Sequence, residues 1–336
     1  KLVGIAAAVV LGLGIAIQFS GLLDSDSGGA VSDTTTDGPA TTPPISGEST
    51  EPSADSLALT GSFQALRAGS YAMGDSTGIG EKRESPVRTV AVSAFQIAEN
   101  EVTRAQFQSF VDETSYRTDA ETNAGREQGC HNYDINGSPQ WAYRSDASWN
   151  NPGFSQEEDH PVVCVSYDDT QAYIAWLNGK TGEAYRLLTE AEWEYSLRAR
   201  SSSDYVFASN LSDICQYGNI ADNTALSNGN SWSSRASCSD GVAIGTSAVG
   251  RYEANEDGIE DLIGNVSEWV EDCWHENYRE APLSSGAWVS DGACNYRVLR
   301  GSSWNGDPAR VAQSAYRSAA GRNYRSSKFG FRLASD

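Results

Sequence analysis

An α+β fold, irregular and rich in loops, preceded by an N-terminal transmembrane helix, is what the sequence predicts. Three observations carry that reading. Capping signatures open a few clear helices, the β-prone runs are short, and 32 Gly with many Asn and Asp supply turns between them. The 336 residues set 24 Lys plus Arg against 45 Asp plus Glu, a formal net charge of −21. Nucleic acid is thereby excluded as a partner, because phosphate-backbone affinity rests on clustered cations. The 9 Trp, 15 Tyr and 9 Phe provide enough apolar bulk for a sizeable core, which excludes wholesale disorder.

The segment 1–23, KLVGIAAAVVLGLGIAIQFSGLL, is apolar after Lys1 apart from Gln18 and Ser20. A spanning helix needs roughly 20 such residues, so this stretch predicts a transmembrane anchor. Lys1 on one side, and seven acids from Asp24 to Asp55 with no further Lys or Arg until Arg67, place the N-terminus inside and the rest outside. The expected location of the folded part is therefore the periplasm or the extracellular side. Residues 24–58 are rich in Ser, Thr, Pro, Gly and acids and cannot bury enough surface to offset their ordering entropy. They read as a disordered acidic stalk.

From 59 to 336 no second linker interrupts the chain, which predicts one domain. Thr103-Arg-Ala-Gln106 starts a helix carrying Phe107, Phe110 and Val111. Ser166-Tyr-Asp-Asp169 starts another, with Ala172, Ile174, Trp176 and Leu177 along it and Gly179 as its stop. Thr189-Glu-Ala-Glu192 is a capping box before Trp193, Tyr195 and Leu197, with Arg198 and Arg200 at the end that favours positive charge. Strands are expected at 87–98 (VRTVAVSAFQIA) and 297–301 (RVLRG).

The 6 Cys, at 130, 164, 215, 238, 273 and 294, form no Cys-x-x-Cys pair, and only 3 His accompany them. Disulfides in an oxidising compartment are the economical reading, although six Cys allow 15 connectivities. Sequential pairing, Cys130 with Cys164, Cys215 with Cys238 and Cys273 with Cys294, closes the shortest local loops. His131, His160 and His275 are scattered, and His160 before Pro161 reads as a loop-ordering residue.

Several ordered stretches carry a resemblance: Met73-Gly74, IAENEVTRAQFQSF (97–110), HPVVCVSYDDTQAYIAWLN (160–178), YRLLTEAEWEYSLRA (185–199), DLIGNVSEWVED (261–272), RVLRGSSW (297–304) and GFRLA (330–334). Together they resemble the formylglycine-generating enzyme, or sulfatase-modifying factor, family. The resemblance implies an irregular variant of the C-type lectin fold. It also implies, for the family's enzyme, a pair of thiolates that bind Cu(I) after the motif reading RGSSW here, soft ligands for a soft ion. No Cys follows Cys294, so this chain lacks the pair and no copper is expected.

What the resemblance does carry over is structural calcium, which takes six to eight hard oxygens from loops. The family's first site matches Asn219, Ile220, Asp240 and Val242, and its second matches Asp261, Gly264, Val266 and Glu268. The other candidate surface lies between Trp304 and Arg325, where Trp304, Asn305, Asp307, Arg310, Gln313, Tyr316, Arg322 and Tyr324, with Arg317, Asn323 and Arg325, concentrate cations and aromatics as recognition surfaces do. The competing reading of that stretch is that Arg317 and Arg332 are buried partners of acids such as Glu194 and that Trp304 is core.

The function expected is a membrane-tethered extracytoplasmic binding or interaction domain without formylglycine-generating activity, taking a protein or glycan ligand. One alternative is a family oxidoreductase modifying a protein Cys through an unidentified centre. Others are a receptor diversified by a retroelement in its C-terminal stretch, and the sensor end of a larger membrane protein.

Overall fold

The computed structural model describes residues 58–123, 127–133, 140–199, 201, 203, 211–227, 232, 234–290 and 294–336. The expected anchor, almost all of the stalk and Arg200 lie outside the described residues. No helix among the described residues is long and apolar enough to cross a membrane.

Two four-stranded sheets frame the domain. In the first, β1 (Phe63–Leu66) pairs antiparallel with β4 (Phe95–Ala98), β4 with β12 (Leu333–Ser335), and β12 with β7 (Arg186–Leu187). In the second, β10 (Ser318–Gly321) pairs with β9 (Tyr296–Arg300), β9 with β8 (Ser267–Cys273), and β8 takes β11 (Phe329–Phe331) in parallel. Two hairpins stand apart, β2 (Gly69–Met73) with β3 (Arg88–Val92) and β5 (Cys130–Tyr133) with β6 (Trp141–Arg144). The run 87–98, expected as one strand, is two strands in different sheets. Its alternation slips: Val90 and Val92 are buried in one phase, Ser93 and Ala94 are both exposed, and Phe95 and Ile97 resume in the other. A strand cannot keep one face inward across such a slip.

Three main helices start where local chemistry says they should. Helix α1 (Arg104–Thr114) is capped by Thr103 with Gln106 reaching back, α2 (Tyr167–Thr181) by Ser166 with Asp169, and α3 (Glu190–Arg198) by Thr189 with Glu192. Each cap supplies an acceptor to one of the orphan N–H groups of the first turn, worth about 1 kcal/mol. Helix α2 runs past Gly179 and stops at Gly182, whose φ of 77° is the left-handed cap conformation. Gly179 lacks that φ and has open space around it, so nothing there ends the helix.

Helix α3 is buried along its whole length, Glu190, Glu192, Glu194 and Arg198 included. Trp193 and Leu197 join the main core beneath β2, β3, β8 and β9. A second cluster packs α1 and α2 through Phe107, Phe110, Tyr173 and Leu177 against Trp269, Phe331 and Leu333. All three disulfides have the sequential pairing expected, Cys130–Cys164, Cys215–Cys238 and Cys273–Cys294.

Candidate functional site

The two loops expected to take calcium lie side by side. Gly218 and Gly264 make that possible, because a Cβ on Gly218 would stand 2.0 Å from the Ile263 carbonyl oxygen and one on Gly264 would stand 2.1 Å from that of Asn219. Only hydrogen fits at either place. The Asn265 amide donates to the Asn219 carbonyl at 2.8 Å and the Trp304 amide to the Asn265 carbonyl at 2.9 Å. The Asn265 side chain accepts from the Ser247 amide at 3.0 Å and donates to Glu101 Oε1 at 3.4 Å. Asn265, at φ 48°, thus ties both loops, the Ser247 turn and the start of the C-terminal stretch into one unit.

In the first loop pair Asn219 and Ile220 are buried, and the Asn219 side chain donates to the Gly245 carbonyl at 2.9 Å. Asp240 accepts from the Val242 amide at 2.7 Å and from the Tyr252 hydroxyl at 3.2 Å. Asp222 is fully buried beside it, accepting from the amides of Thr224 and Asp240. Burial, followed by the Asp222 charge, pushes the Asp240 carboxyl up to about 7. Two carboxylates so placed resist joint ionisation unless a cation joins them. The Cys215–Cys238 bridge encloses Asn219 to Asp222 and ends two residues before Asp240.

In the second loop Asp261, at φ 56°, accepts from the Gly250 amide at 2.7 Å through one oxygen while its Oδ1 is buried without a partner. Glu101 Oε2 is likewise buried and unpartnered. Glu268 is fully engaged instead: Trp193 Nε1 donates to it at 2.9 Å and Arg332 donates through Nε at 3.1 Å and Nη2 at 2.9 Å. Burial, then the Asp261 charge, raises Glu101 well above the ordinary carboxyl range, and burial pushes Asp261 up to about 6. Three buried acids share one guanidinium, leaving room for further positive charge. Among the described residues no group of three or more His, Cys, Asp or Glu is placed to hold a metal ion. Any calcium at these loops would therefore draw on backbone carbonyls, as the matched positions Ile220, Val242, Gly264 and Val266 suggest. Hard carboxylate oxygens without partners fit that ion.

The C-terminal stretch is not the free basic face its composition suggested. Arg317 is fully buried on Glu190, at 2.7 Å through Nε, and Arg325 is buried on the carbonyls of Gly129 and Asn323. Arg332 joins Glu268, and Glu194 is partner to Arg198 and Arg300. Trp304 is 2 % exposed and donates to the Ser327 carbonyl, so it is core, and Gln313 is buried. The remaining cations are paired, Arg310 with Glu84 at 2.6 Å and Arg322 with Asp168. Asp307 caps a short turn through the Ala309 amide, Asn305 accepts from Ser303 Oγ, and Tyr316 lies under the Arg310 guanidinium. Asn323 is exposed and Tyr324 half-buried.

What the sequence reading passed over is the β5–β6 hairpin. Trp141 and Tyr143 bring rings against His131, Trp304 and Tyr324, with Trp232 and Phe154 packed behind Trp304. The available signal was the alternation of His131, Tyr133, Trp141 and Tyr143 on two short runs flanking a polar gap. The other histidines are structural: His160 Nδ1 meets Thr246 Oγ1, and His275 stacks on Trp288 between two carbonyls.

With this geometry in place, comparison with known proteins gives a consistent picture. The family model described as the sulfatase-modifying factor enzyme 1-like domain matches residues 49–336. The chain is 32% identical over 248 residues to the formylglycine-generating enzyme of Mycobacterium tuberculosis, covering 66% of this chain and 77% of that protein. It is 30% identical over 255 residues to the inactive C-alpha-formylglycine-generating enzyme 2 of Bos taurus, covering 69% and 79%. Among solved structures, PvdO from Pseudomonas aeruginosa superposes with a TM-score of 0.65 at 30% identity, over 81% of this chain and 93% of that one.

Proposed function

Because this chain belongs to the sulfatase-modifying factor enzyme 1-like family, we propose that it is a calcium-stabilised extracytoplasmic binding domain, tethered to the membrane, that keeps the family fold without its oxidase centre. The observation that carries this reading is the state of the thiols. All 6 Cys are consumed in three disulfides, so no thiolate pair remains for a soft metal ion. The disulfides fit an oxidising compartment. The apolar run 1–23 supports a tether, and the similarity to an inactive mammalian relative supports a non-catalytic role. Asp240 with Asp222, and Asp261 with its unpartnered oxygen, would hold calcium together with loop carbonyls, where the ion would supply positive charge and cross-link the two loops. The ligand would be a protein or glycan.

A second reading, an oxidoreductase acting on a protein Cys, is favoured by the similarity to the M. tuberculosis enzyme. Oxygen uptake with a Cys-containing sulfatase-type peptide and added copper separates the two. The binding-domain reading expects none above a no-enzyme control, and stoichiometric turnover of the peptide thiol overturns it.

A further inference from the structure

Lys328 occupies an unusual place in this acidic chain. Its backbone is fixed on every side. Its carbonyl accepts from the Ser267 amide at 2.7 Å, and the carbonyl of Ser327 before it accepts from Trp304 Nε1 at 3.0 Å. The Ser327 amide donates to the His131 carbonyl at 3.0 Å, the His131 amide donates to the Arg325 carbonyl at 3.1 Å, and the Cys164 amide donates to the Ser326 carbonyl at 2.9 Å. The Cys130–Cys164 bridge locks β5 onto the same segment. The side chains above this frame therefore hold their positions without help from a ligand.

On the frame, the Lys328 ammonium stands 4.3 Å from the centre of the Trp141 ring. Trp141 stacks at 5.6 Å on His131 and lies tilted at 5.6 Å against Trp304, and Tyr143 and Tyr324 flank His131 at 5.3 and 5.6 Å. Lys328, His131, Trp141, Tyr143 and Tyr324 are all half-buried, so the cluster opens to solvent. Among the described residues no carboxylate pairs with Lys328, whose ammonium is shifted downward by burial alone. The Glu127 charge acts on His131, Tyr143 and Tyr324. His131 Nδ1 is buried with no partner. An ammonium partly withdrawn from water, with an aromatic face as its neighbour among the described residues, gives up part of its hydration. An anion arriving beside it in this low-dielectric setting restores that loss, and rings supply the rest of a small-ligand site.

We propose that this face is a binding site for a carboxylate carried on a planar apolar body, the carboxylate docking on Lys328 and the body lying against the open edges of the aromatic cluster. The site deepens the binding-domain reading by naming its ligand chemistry, and it rests on that reading for its biological sense. It shares Trp304 and Tyr324 with the Arg-rich stretch singled out by composition, but its cation is Lys328, whereas the arginines of that stretch are engaged by acids or carbonyls.

The test is a titration of the full chain, followed by tryptophan fluorescence, with benzoate, its uncharged counterpart benzamide, and glucuronate as a carboxylate on a non-planar sugar. Saturable benzoate binding at least tenfold tighter than benzamide or glucuronate is expected. Lys328→Gln should weaken benzoate at least tenfold and Lys328→Arg should retain it within about threefold, both melting like the parent. Equal binding of benzoate and benzamide, no saturable binding, or unchanged binding in Lys328→Gln overturns the proposal. Binding of glucuronate in preference to benzoate overturns the planar body. If Lys328→Gln does not fold, the parent protein still decides: benzoate should slow acetylation of Lys328, mapped by mass spectrometry, and no protection overturns the site. Oxygen uptake with copper and peptide keeps the two readings apart, since turnover defeats the non-catalytic role whether or not benzoate binds.

Discussion

Arg332 lies on the Glu268 carboxylate inside the core, with Nε at 3.1 Å and Nη2 at 2.9 Å from Oε1 and both side chains almost wholly buried. The same guanidinium donates to the carbonyls of Ala98 and Glu260, so one side chain joins β4, β8 and the loop before Asp261. It is also the counter-charge for Glu101 and Asp261.

Removing that cation leaves buried acids uncompensated. Arg332→Met is expected to cost about 3–5 kcal/mol of unfolding free energy. Adding Glu268→Gln should recover part of the loss, because the remaining polar group is neutral. Urea unfolding of the parent, both single variants and the double variant measures the coupling, and additive losses would contradict the pairing.

Calcium is expected to stabilise the domain by mass action, roughly 2.7 kcal/mol when its concentration is 100 times the dissociation constant. Chelation with EDTA should lower the melting temperature and re-added calcium restore it. Asp240→Asn and Asp261→Asn should each remove part of that response. An unchanged melt with no metal by elemental analysis would refute calcium at both loops.

The close approach of the loops gives a sharper mutational signature. Gly264→Ala places a methyl 2.1 Å from the Asn219 carbonyl at a φ of +73°. Strain and overpacking together should cost about 2–4 kcal/mol. Gly182→Ala, also at positive φ but in open space, should cost only about 1 kcal/mol. Chemical denaturation curves for the two variants compare crowding plus strain with strain alone.

Opening the Cys215–Cys238 bridge by a double Cys→Ala change should cost about 3 kcal/mol by the chain-entropy estimate for the loop it closes. Because the bridge encloses Asn219 to Asp222, calcium affinity should fall in the same variant. Isothermal titration would report that fall; retained affinity would uncouple the bridge from the loop.

Burial pushes Asp169 up to about 6 and Asp272 up to about 7. A carboxyl whose folded value lies above its unfolded one favours the fold below pH 4 and loses that contribution as pH rises through the folded value. Melting temperature, measured with EDTA present, should therefore decline between about pH 4 and pH 7 at constant ionic strength. A rise across that interval would exclude these two residues as the dominant titrating groups.

The parts of this fold written locally were legible. Thr103, Ser166 and Thr189 each announced a helix because a cap is decided within four residues. The disulfides followed from loop length. Family resemblance singled out the loops at Asn219 and Asp261, and the structure brings them together, since Gly218 lies against the Ile263 carbonyl and Gly264 against that of Asn219. Illegible were the partners of buried charges. Arg317 meets Glu190 and Arg300 meets Glu194 across more than a hundred residues, and a count of Arg after Trp304 cannot distinguish a core ion pair from a surface cation. Glu101 and Asp222 escaped notice for the same reason, as each matters through neighbours that only the fold supplies.

The strand β12 sits between β4 and β7, with Ala334 opposite both Ile97 and Arg186. A ribosome delivers this segment after every strand and acid that it joins. Until Leu333 to Ser335 emerge, the first sheet has a gap in its middle, and until Arg332 emerges, Glu268, Glu101 and Asp261 have no counter-ion to accompany them into the core. Assembly of the domain therefore has a late, non-local closing step of the kind that slows folding. A chain that stops before Arg332 would be a substrate for chaperones or proteases rather than a slightly weakened version of the folded domain.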